Sequence, residues 1–378
     1  MPDAAADHIT LGVEEEFLVV DGHTGEMVPL ANEVLAAGPE VDPNLRIMGE
    51  LNLCQLETDT TVCSSLDELA QELDWLRARA ARQAAEVGAG LLPTGTHPFS
   101  VWQDQAIDES DERYARLADR YGLLAHEQVI CGCHVHVGLP DRALEVQVMG
   151  RTRPWLSVLL ALSVNSPFWQ GRDSGYESFR SEVWQRWPTA GFPPDLRDRD
   201  DYHQVLEELR RAEVVNSAKD LYWWVRPSDA HPTLEFRVCD VPLYVEDTVT
   251  LAGLVRALSW VSVSTERVPW RRQSRDLLYA GTWRAARFGP RGELIDPIER
   301  APRPAHEVVE RLLEVCGPGL DAHGDRDRVE RGVARILLRG TGATMQRTLV
   351  ADHERAACVR HLRYAGGTAE APPAEQAS

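Results

Sequence analysis

Carboxylate and histidine side chains recur at two-residue spacing in four separate segments of this chain. Residues i and i+2 of a β-strand share one face of the sheet. The four pairs are Glu14 with Glu16, Glu57 with Asp59, His134 with His136, and Glu235 with Arg237. A sheet assembled from these segments would gather carboxylate oxygens and imidazole nitrogens on one face, with apolar side chains behind it. Such a face can bind divalent cations and, through them, phosphate groups.

The alternative interpretation is that each pair lies on the solvated face of a half-buried sheet. Glu and Asp are poor strand formers, and a solvated face more typically shows Thr, Lys and Arg. Carboxylates crowded on one surface also repel each other unless cations bind between them. The four pairs together therefore favour a metal site over a solvated face.

The segment from Cys131 to His136 (CGCHVH) is also typical of a zinc or copper site. Strand alternation places its two cysteines on the face opposite to its two histidines, so the four side chains cannot complete one tetrahedron. Oxygen-rich surroundings favour a hard cation, either Mg²⁺ or Mn²⁺. We therefore expect a magnesium-type site with buried cysteines, and a structural zinc site is the alternative.

Residues 166–194 are rich in Gly, Pro, Arg and Trp without a regular period, which is typical of a functional loop. The overlapping segment 165–180 (NSPFWQGRDSGYESFR) carries Arg172 and Arg180 among small and aromatic residues. Guanidinium groups bind phosphate or carboxylate through paired hydrogen bonds. Beside carboxylates, this loop suits a polyanionic substrate; the alternative is that its arginines only balance surface charge.

The net charge of −19, from 59 acidic against 40 basic residues, disfavours nucleic acid and anionic membranes as general partners. The same charge repels ATP unless bound metals and local arginines offset it. Lys219 is the single lysine of the chain, and its neighbours do not match a Walker A loop. Phosphate groups must therefore be met by arginine, backbone N–H groups or metal.

The segments that carry the pairs are predicted to be strands of one sheet. These strands run from Ile9 to Asp21, Arg46 to Thr61, Gln128 to Leu139, and Thr233 to Val241. A capping box at Ser65 to Glu68 begins a helix that extends to about Gly88. A second, apolar helix is predicted over 141–165, with a break at Pro154.

We predict one large α+β catalytic domain over residues 1–365, mainly helical from about 247, and a disordered tail over 366–378. The longest apolar run, 155–164, is too short to cross a bilayer, and the N-terminus does not match a signal peptide. Seven scattered cysteines, an odd number, indicate reduced thiols. We therefore expect a cytoplasmic protein.

Eight segments, in this order, resemble the YbdK-type carboxylate–amine ligases, a branch of the glutamate–cysteine ligase superfamily (glutamate–cysteine ligase type 2). They are LGVEEEFLVVD, QLETDT, GTHPF, CGCHVHVGLPDR, NSPFWQGRDSGYESFR, VWQRWPTAG, TLEFRVCD and RGTGA. The resemblance covers about residues 9–363. It implies a fold like that of glutamine synthetase and the guanido kinases, with an antiparallel sheet flanked by helices and the active site on its concave face.

Residue by residue, the resemblance implies that metal is bound by Glu14, Glu16, Glu50, Glu57, His134 and Glu235. His134 would also lie next to the nucleotide, and Arg237 would face its phosphates. We add Arg172 and Arg180 to Arg237 as the side chains that stabilise the negative charge developing during catalysis.

Two neighbours of these residues are left out of the predicted site. Glu15 lies between two predicted ligands, and strand alternation turns it to the other face. His136 shares a face with His134, but related ligases vary at that position.

The resemblance implies that ATP phosphorylates a carboxylate of glutamate and that an amine then attacks the acyl phosphate. We therefore predict an ATP- and Mg²⁺- or Mn²⁺-dependent ligase, a homodimer, that forms a γ-glutamyl amide with cysteine or another amine. One alternative keeps the chemistry and uses a non-cysteine amine of a biosynthetic pathway. Two others are a two-metal hydrolase, which would not release ADP, and a nucleotide-binding sensor without catalysis.

Overall fold

The structure is a computed structural model that describes residues 9–38, 46–228, 231–266, 268 and 272–364. Its longest sheet has seven strands: β1 (Thr10–Asp21), β2 (Ile47–Gly49), β3 (Gln55–Asp59), β4 (Ala89–Leu92), β5 (Gly132–Gly138), β8 (Val225–Pro227) and β9 (Thr233–Asp240). Two short pairs lie apart from it: β6 (Phe168–Trp169) with β7 (Arg172–Asp173), and β10 (Glu293–Ile295) with β11 (Pro302–Pro304). The tail predicted over 366–378 lies outside the described residues.

The seven strands follow the order β2-β3-β1-β5-β9-β8, and β4 pairs with the C-terminal part of β1. Every pairing in this sheet is antiparallel. The predicted α+β class with an antiparallel sheet is therefore confirmed. The segments predicted to carry the acidic and histidine pairs all join this one sheet, as β1, β3, β5 and β9.

The helices alternate with these strands and dominate the C-terminal third. They are α1 (Ala31–Ala36), α2 (Leu66–Glu86), α3 (Glu112–Tyr121), α4 (Leu123–His126), α5 (Glu145–Thr152), α6 (Leu156–Ser163), α7 (Phe179–Trp184), α8 (Arg199–Arg211), α9 (Val245–Ser264), α10 (Arg275–Phe288), α11 (Ala305–His323), α12 (Arg326–Arg339), α13 (Gly342–Asp352) and α14 (Arg355–Leu362). Helices α2, α6 and α9 pack against β1, β5 and β9, and α11 and α12 cover α9 on its outer side. Within the described residues, no helix combines the length and apolarity that crossing a membrane would require.

The region predicted as a single extended stretch from Arg46 to Thr61 forms two strands, so that prediction was wrong. Strands β2 and β3 pair with each other, with Met48 opposite Glu57. Asn52 makes the turn, because its carbonyl accepts a hydrogen bond from the amide of Gln55 (2.8 Å) and its side-chain amide donates to the Gln55 side chain (2.9 Å). Glu50 consequently lies in the turn rather than within a strand.

The break predicted at Pro154 is confirmed. Helix α5 ends at Thr152, a single 3₁₀ turn spans Arg153–Trp155, and α6 begins at Leu156. Proline lacks the N–H that a continuous helix needs, so the chain changes direction there. All residues of α6 are buried, which places it behind the sheet.

The side chain of Glu15 points away from Glu14 and Glu16 and is fully buried under the helices. Its carboxylate accepts two hydrogen bonds from Arg77 of α2, at 2.7 and 2.6 Å. The hydroxyl of Thr248, on α9, donates a third at 2.6 Å. The remaining donors of Arg77 bind the carbonyls of Pro242 and Leu243, each at 2.9 Å. This network ties β1 to both covering helices and fixes which face of the strand carries Glu15.

We predict that Glu15→Gln lowers the free energy of unfolding by about 3–5 kcal/mol, because it leaves the buried charge of Arg77 without its counter-charge. Urea unfolding followed by circular dichroism measures this change. Glu207→Gln is the matched control, since Glu207 pairs with Arg210 and Arg211 on the solvent side of α8. That variant should change the free energy by less than about 1 kcal/mol. Equal effects of the two substitutions would contradict the proposed role of the network.

Candidate active site

The face of the sheet opposite the helices collects the predicted polar side chains in cross-strand rows. Glu14 stands opposite Asp59 on β3 and His134 on β5, and Glu16 stands opposite Glu57. On the far side of β5, His136 is opposite Glu235, which in turn is opposite Arg226 of β8. A cavity of about 400 Å³ lies over these rows. Its size is in the range typical of small-molecule sites.

Two groups of side chains in this cavity are close enough to hold a cation. One consists of Glu14, His134 and Glu235, and the other of Glu16, Glu57 and His134. Within each group the ligand atoms lie within 4.8 Å of one another. The structure therefore brings together five of the six predicted metal ligands, with His134 common to both groups.

The sixth predicted ligand, Glu50, lines the same cavity but belongs to neither group. The hydroxyl of Tyr114 on α3 donates to its carboxylate over 3.4 Å. Asp59, which shares a face with Glu57, also lines the cavity, and one of its carboxylate oxygens is buried without a hydrogen-bond partner. Strand spacing predicted that Asp59 shares a face with Glu57, although Asp59 was not among the predicted ligands.

His134 fits a metal-binding role. Its Nδ1 lies 2.8 Å from Glu14, while its Nε2 is buried, lacks a hydrogen-bond partner and lies 3.5 Å from Glu16. A buried polar atom without a partner is costly unless a ligand binds it. A cation between this nitrogen and the neighbouring carboxylates would satisfy both.

The carboxylates on the β3 side of the cavity resist ionisation. Burial and then the nearby Glu14 and Glu50 raise the pKa of Glu57 well above its usual value. Burial and the neighbouring Glu16 raise the pKa of Glu50 to about 7, and burial with Glu14 raises the pKa of Asp59 to about 7. Crowded carboxylates of this kind are the environment that a divalent cation stabilises. The donor set, oxygen with one imidazole, suits Mg²⁺ or Mn²⁺.

Two carboxylates in the centre of the sheet stay ionised despite burial. Burial opposes the charge of Glu14, but His136 and His134 hold its pKa well below the ordinary value. Burial likewise opposes the charge of Glu235, but the positive charges of Arg226 and Arg237 hold the pKa of Glu235 below its ordinary value. His136 contributes through a 2.8 Å contact between its Nε2 and Glu14, and its Nδ1 contacts Thr233 at 3.0 Å. It positions Glu14 and belongs to neither metal-binding group.

Arg237 lies in the cavity as predicted. It forms an ion pair with Glu235, which raises the pKa of Arg237 against the effect of burial. Its guanidinium lies 5.2 Å from the ring of Trp184, and its Nε is buried without a hydrogen-bond partner. Arg226 donates to the other oxygen of Glu235 at 3.0 Å and lines the same cavity. Arg226 was not among the predicted residues, although its place on the strand beside Glu235 was a usable signal.

Neither Arg172 nor Arg180 is among the residues that line the cavity. Arg172 is exposed on β7. Arg180 is buried, with Nη1 3.8 Å from Asp240 and Nη2 3.3 Å from the carbonyl of Arg237. The structure thus brings Arg237, but not these two arginines, together with the carboxylates. Their catalytic role stays a prediction.

Arg180 supports the site indirectly through Gly132. A Cβ at position 132 would lie 2.1 Å from Nη2 of Arg180, so only glycine allows the guanidinium to pack against β5. The backbone N–H of Gly132 donates to the carboxylate of Glu16 at 2.6 Å. Arg180 therefore helps to hold the strand segment that orients Glu16.

Aromatic side chains form the wall opposite the sheet. Trp187 stacks on Tyr222 with ring centroids 4.7 Å apart, and Trp184 meets Tyr222 edge-on at 5.5 Å. The hydroxyl of Tyr222 and Oε1 of Gln128 are buried on this cavity and have no hydrogen-bond partner in the protein. These atoms are available to a polar substrate that enters the cavity.

A second cavity of about 360 Å³ adjoins the first at one end of the sheet. The two cavities share Glu14, Asp59 and His231. The second is lined largely by residues 10–13, 60–62 and 138–139. Leu11, Val13, Val62 and Leu139 among its lining residues make it a less polar compartment next to the carboxylate rows.

The seven cysteines are buried and unpaired. Cys131 and Cys133 lie in apolar cores behind the sheet, as strand alternation predicted. Over the part of the chain that the structure describes, the possible metal-binding groups contain only Glu and His. The structural zinc alternative therefore has no support in this geometry.

We predict that Mn²⁺ binds the protein and raises its midpoint of thermal unfolding, because a ligand that binds only the folded state stabilises it. Glu57→Gln should weaken Mn²⁺ binding, measured by calorimetry, by ~10-fold or more. Loss of a side chain that only supports a metal ligand already weakens metal binding by about that factor. Glu33→Gln, an exposed position on α1, is the control and should bind normally. Unchanged affinity in Glu57→Gln would place the metal elsewhere.

The chain is similar to known proteins both in sequence and in fold. The chain is 41 % identical over 340 residues to a protein of Mycolicibacterium vanbaalenii named as a candidate glutamate–cysteine ligase 2-2, covering 89 % of this chain and 92 % of that one. The fold of this chain is similar to that of the glutamate–cysteine ligase of Francisella tularensis, which was solved with AMP. The TM-score is 0.68 and the sequence identity is 14 %, and the match covers 96 % of this chain and 90 % of that one.

The fold is also similar to that of a bifunctional glutathione synthetase of Pasteurella multocida, with a TM-score of 0.68 and 15 % identity. That match covers 95 % of this chain and only 52 % of the larger enzyme, so this chain spans about half of its length. At such low sequence identities, the similarity to these two structures establishes the fold alone. The sequence profile described as Glutamate-cysteine ligase family 2 matches residues 10–363. With that match over nearly its whole length, the chain belongs to glutamate–cysteine ligase family 2.

Proposed function

We propose that this protein is an ATP-dependent carboxylate–amine ligase that joins the γ-carboxylate of glutamate to an amine, with release of ADP and phosphate. The observation that carries the proposal is the meeting of two metal-binding groups at His134, with Arg226 and Arg237 beside them in one cavity. Phosphoryl transfer depends mainly on positioning and on neutralising charge. This cavity concentrates the side chains for both.

The first step transfers the terminal phosphoryl group of ATP to the substrate carboxylate. A carboxylate oxygen forms a bond to the γ-phosphorus, and the bond from that phosphorus to the ADP oxygen breaks. Bound Mg²⁺ or Mn²⁺ would neutralise phosphate oxygens and draw the carboxylate towards them. Arg237, oriented by its ion pair with Glu235, has an unpartnered Nε to donate to the transferred group.

The second step forms the amide. The amine nitrogen bonds to the acyl carbon, the bond from that carbon to the phosphate oxygen breaks, and the proton that the amine loses passes to the departing phosphate. Arg226 and Arg237 remain beside the departing phosphate, where positive charge stabilises it. The walls formed by Trp184, Trp187 and Tyr222 limit the access of water, which would otherwise hydrolyse the acyl phosphate.

The two cavities suggest how the substrates share the face. The less polar cavity at the Gly12 and Gly138 end suits the planar base of the nucleotide, with its phosphates reaching the carboxylate rows. The aromatic-walled cavity holds unpartnered acceptor and hydroxyl atoms that suit the polar groups of glutamate. The Mycolicibacterium vanbaalenii relative is named as a candidate glutamate–cysteine ligase, which is in keeping with this arrangement.

A cytoplasmic location, a homodimer and a single catalytic domain over 1–365 stay predictions. The seven buried and unpaired cysteines support a reducing compartment.

We predict that the purified protein, given Mg²⁺, ATP and glutamate, releases ADP when a suitable amine is added. A panel of amines read by a coupled ADP assay, with mass spectrometry of the products, measures this. A γ-glutamyl amide whose mass matches the added amine is the expected product. Amine-independent hydrolysis of amides or phosphoesters, without ADP release from any amine, would instead support the two-metal hydrolase.

We predict that Arg237→Lys lowers kcat by ~10²–10³-fold, because a single ammonium cannot keep the ion pair with Glu235 and also donate to the phosphoryl group. Arg172→Lys is the matched comparison at an exposed position outside the cavity. If Arg172 acts directly in catalysis, as the sequence predicts, Arg172→Lys should lower kcat to a similar extent. Normal activity in Arg237→Lys would remove Arg237 from the phosphate site.

A further inference from the structure

A basic groove opens at the mouth of the aromatic-walled cavity. Three of its cationic residues, Arg113, Arg116 and Arg120, lie on one side of α3, and the fourth is Lys219. Positions three and four apart on a helix are neighbours on its surface. The groove has a volume of about 170 Å³. We call this set of four residues the basic groove.

The basic groove is continuous with the active cavity. Arg113, Leu117 and Lys219 line both of them. On the cavity side, the hydroxyl of Tyr114, on the same helix, donates to the carboxylate of Glu50. A molecule seated in the groove therefore lies next to the cavity that holds the carboxylates.

The cations of the groove are available to an anionic ligand. Within the described part of the chain, no acidic side chain forms a salt bridge with Arg113, Arg120 or Lys219. Arg116 pairs with Glu112, but that carboxylate is 93 % exposed, and such pairs contribute little. The one acidic residue lining the groove, Asp220, is buried and accepts a hydrogen bond from the backbone of Asn216 at 2.7 Å.

This local charge is opposite in sign to that of the whole protein. A net charge of −19 repels an anionic amine, and a positive groove at the cavity mouth reverses that field locally. Clefts lined by one sign of charge raise the local concentration of ligands of the opposite sign. The groove therefore favours the approach of an amine that carries negative groups.

The extent of the groove indicates more than one negative group. Arg113 and Arg120 are seven residues apart on α3, which separates them by about 10 Å along the helix axis. One carboxylate cannot contact both ends of such a row. Four cationic side chains along this row can accommodate two carboxylates, one near Arg113 and Lys219 and one near Arg116 and Arg120.

We propose that the basic groove binds the carboxylates of the acceptor amine, and that the preferred acceptor carries two of them. This inference rests on the proposed ligase function. The nucleotide and the glutamate occupy the cavities over the sheet, so the amine enters last, from the mouth. Arg113 and Lys219 bind the carboxylate nearer the amine, and Arg116 and Arg120 bind the more distant one. The amine nitrogen then attacks the acyl carbon as phosphate leaves.

Aspartate and asparagine test this proposal because they differ in one charge at nearly equal size. In the wild-type protein, with ATP and glutamate saturating, kcat/KM for aspartate should exceed that for asparagine by roughly tenfold, the range of a charge-assisted contact near the surface. The double variant Arg116→Gln/Arg120→Gln should lose that preference through a higher KM for aspartate. Its KM for asparagine, ATP and glutamate, and its kcat, should stay within about twofold of wild type.

Arg331→Gln is the control, since Arg331 is exposed on α12, outside both cavities, and its loss changes the net charge in the same direction. It should keep the wild-type preference for aspartate. A wild-type protein that prefers asparagine, or a double variant that behaves like Arg331→Gln, would overturn the inference and leave the ligase function intact. A rise in KM for glutamate alone would assign the groove to the donor and also overturn it. Absence of ADP release with every amine would refute the ligase function itself.

Discussion

The buried ion pair between Glu15 and Arg77 sets the orientation of the first strand, and much of the site depends on that orientation. Charges removed from water are tolerated only with close partners, and here the guanidinium, Thr248 and two backbone carbonyls supply them. A shift of β1 by one residue would turn Glu15 into the cavity and bury Glu14 or Glu16 beneath the helices. The network on the helix side therefore selects the face on which the carboxylates gather.

On the opposite face, several carboxylates are crowded together in one cavity. Glu14 and Glu235 are kept ionised by histidine and arginine neighbours, whereas Glu57 and Glu50 have raised pKa values. The centre is thus divided into carboxylates that are already neutralised by the protein and carboxylates that are not. Cation binding would relieve the mutual repulsion of the second set, whose negative charge the protein offsets less.

The positive charges around this centre are arranged by depth. Arg226 and Arg237 are fixed by ion pairs with Glu235 inside the cavity, where a rigid guanidinium can face a phosphate. Arg113 and Lys219 lie at the mouth, exposed to solvent. This separation places the inner cations beside the reacting phosphoryl group and the outer cations where an anionic substrate would enter.

The amino-acid sequence by itself determined the alternation that brings Glu14, Glu16 and Glu57 to one face with His134, since side-chain direction in a strand follows spacing alone. The break at Pro154 and the turning away of Glu15 are local consequences of the same kind. Strand pairing and loop packing were decided only by the tertiary structure. They folded the stretch around Glu50 into a turn, brought α3 to the cavity mouth, and buried Arg180 against Asp240 instead of the phosphate site. Such contacts join residues far apart in the chain, and their energies depend on burial and counter-charges that no local pattern encodes.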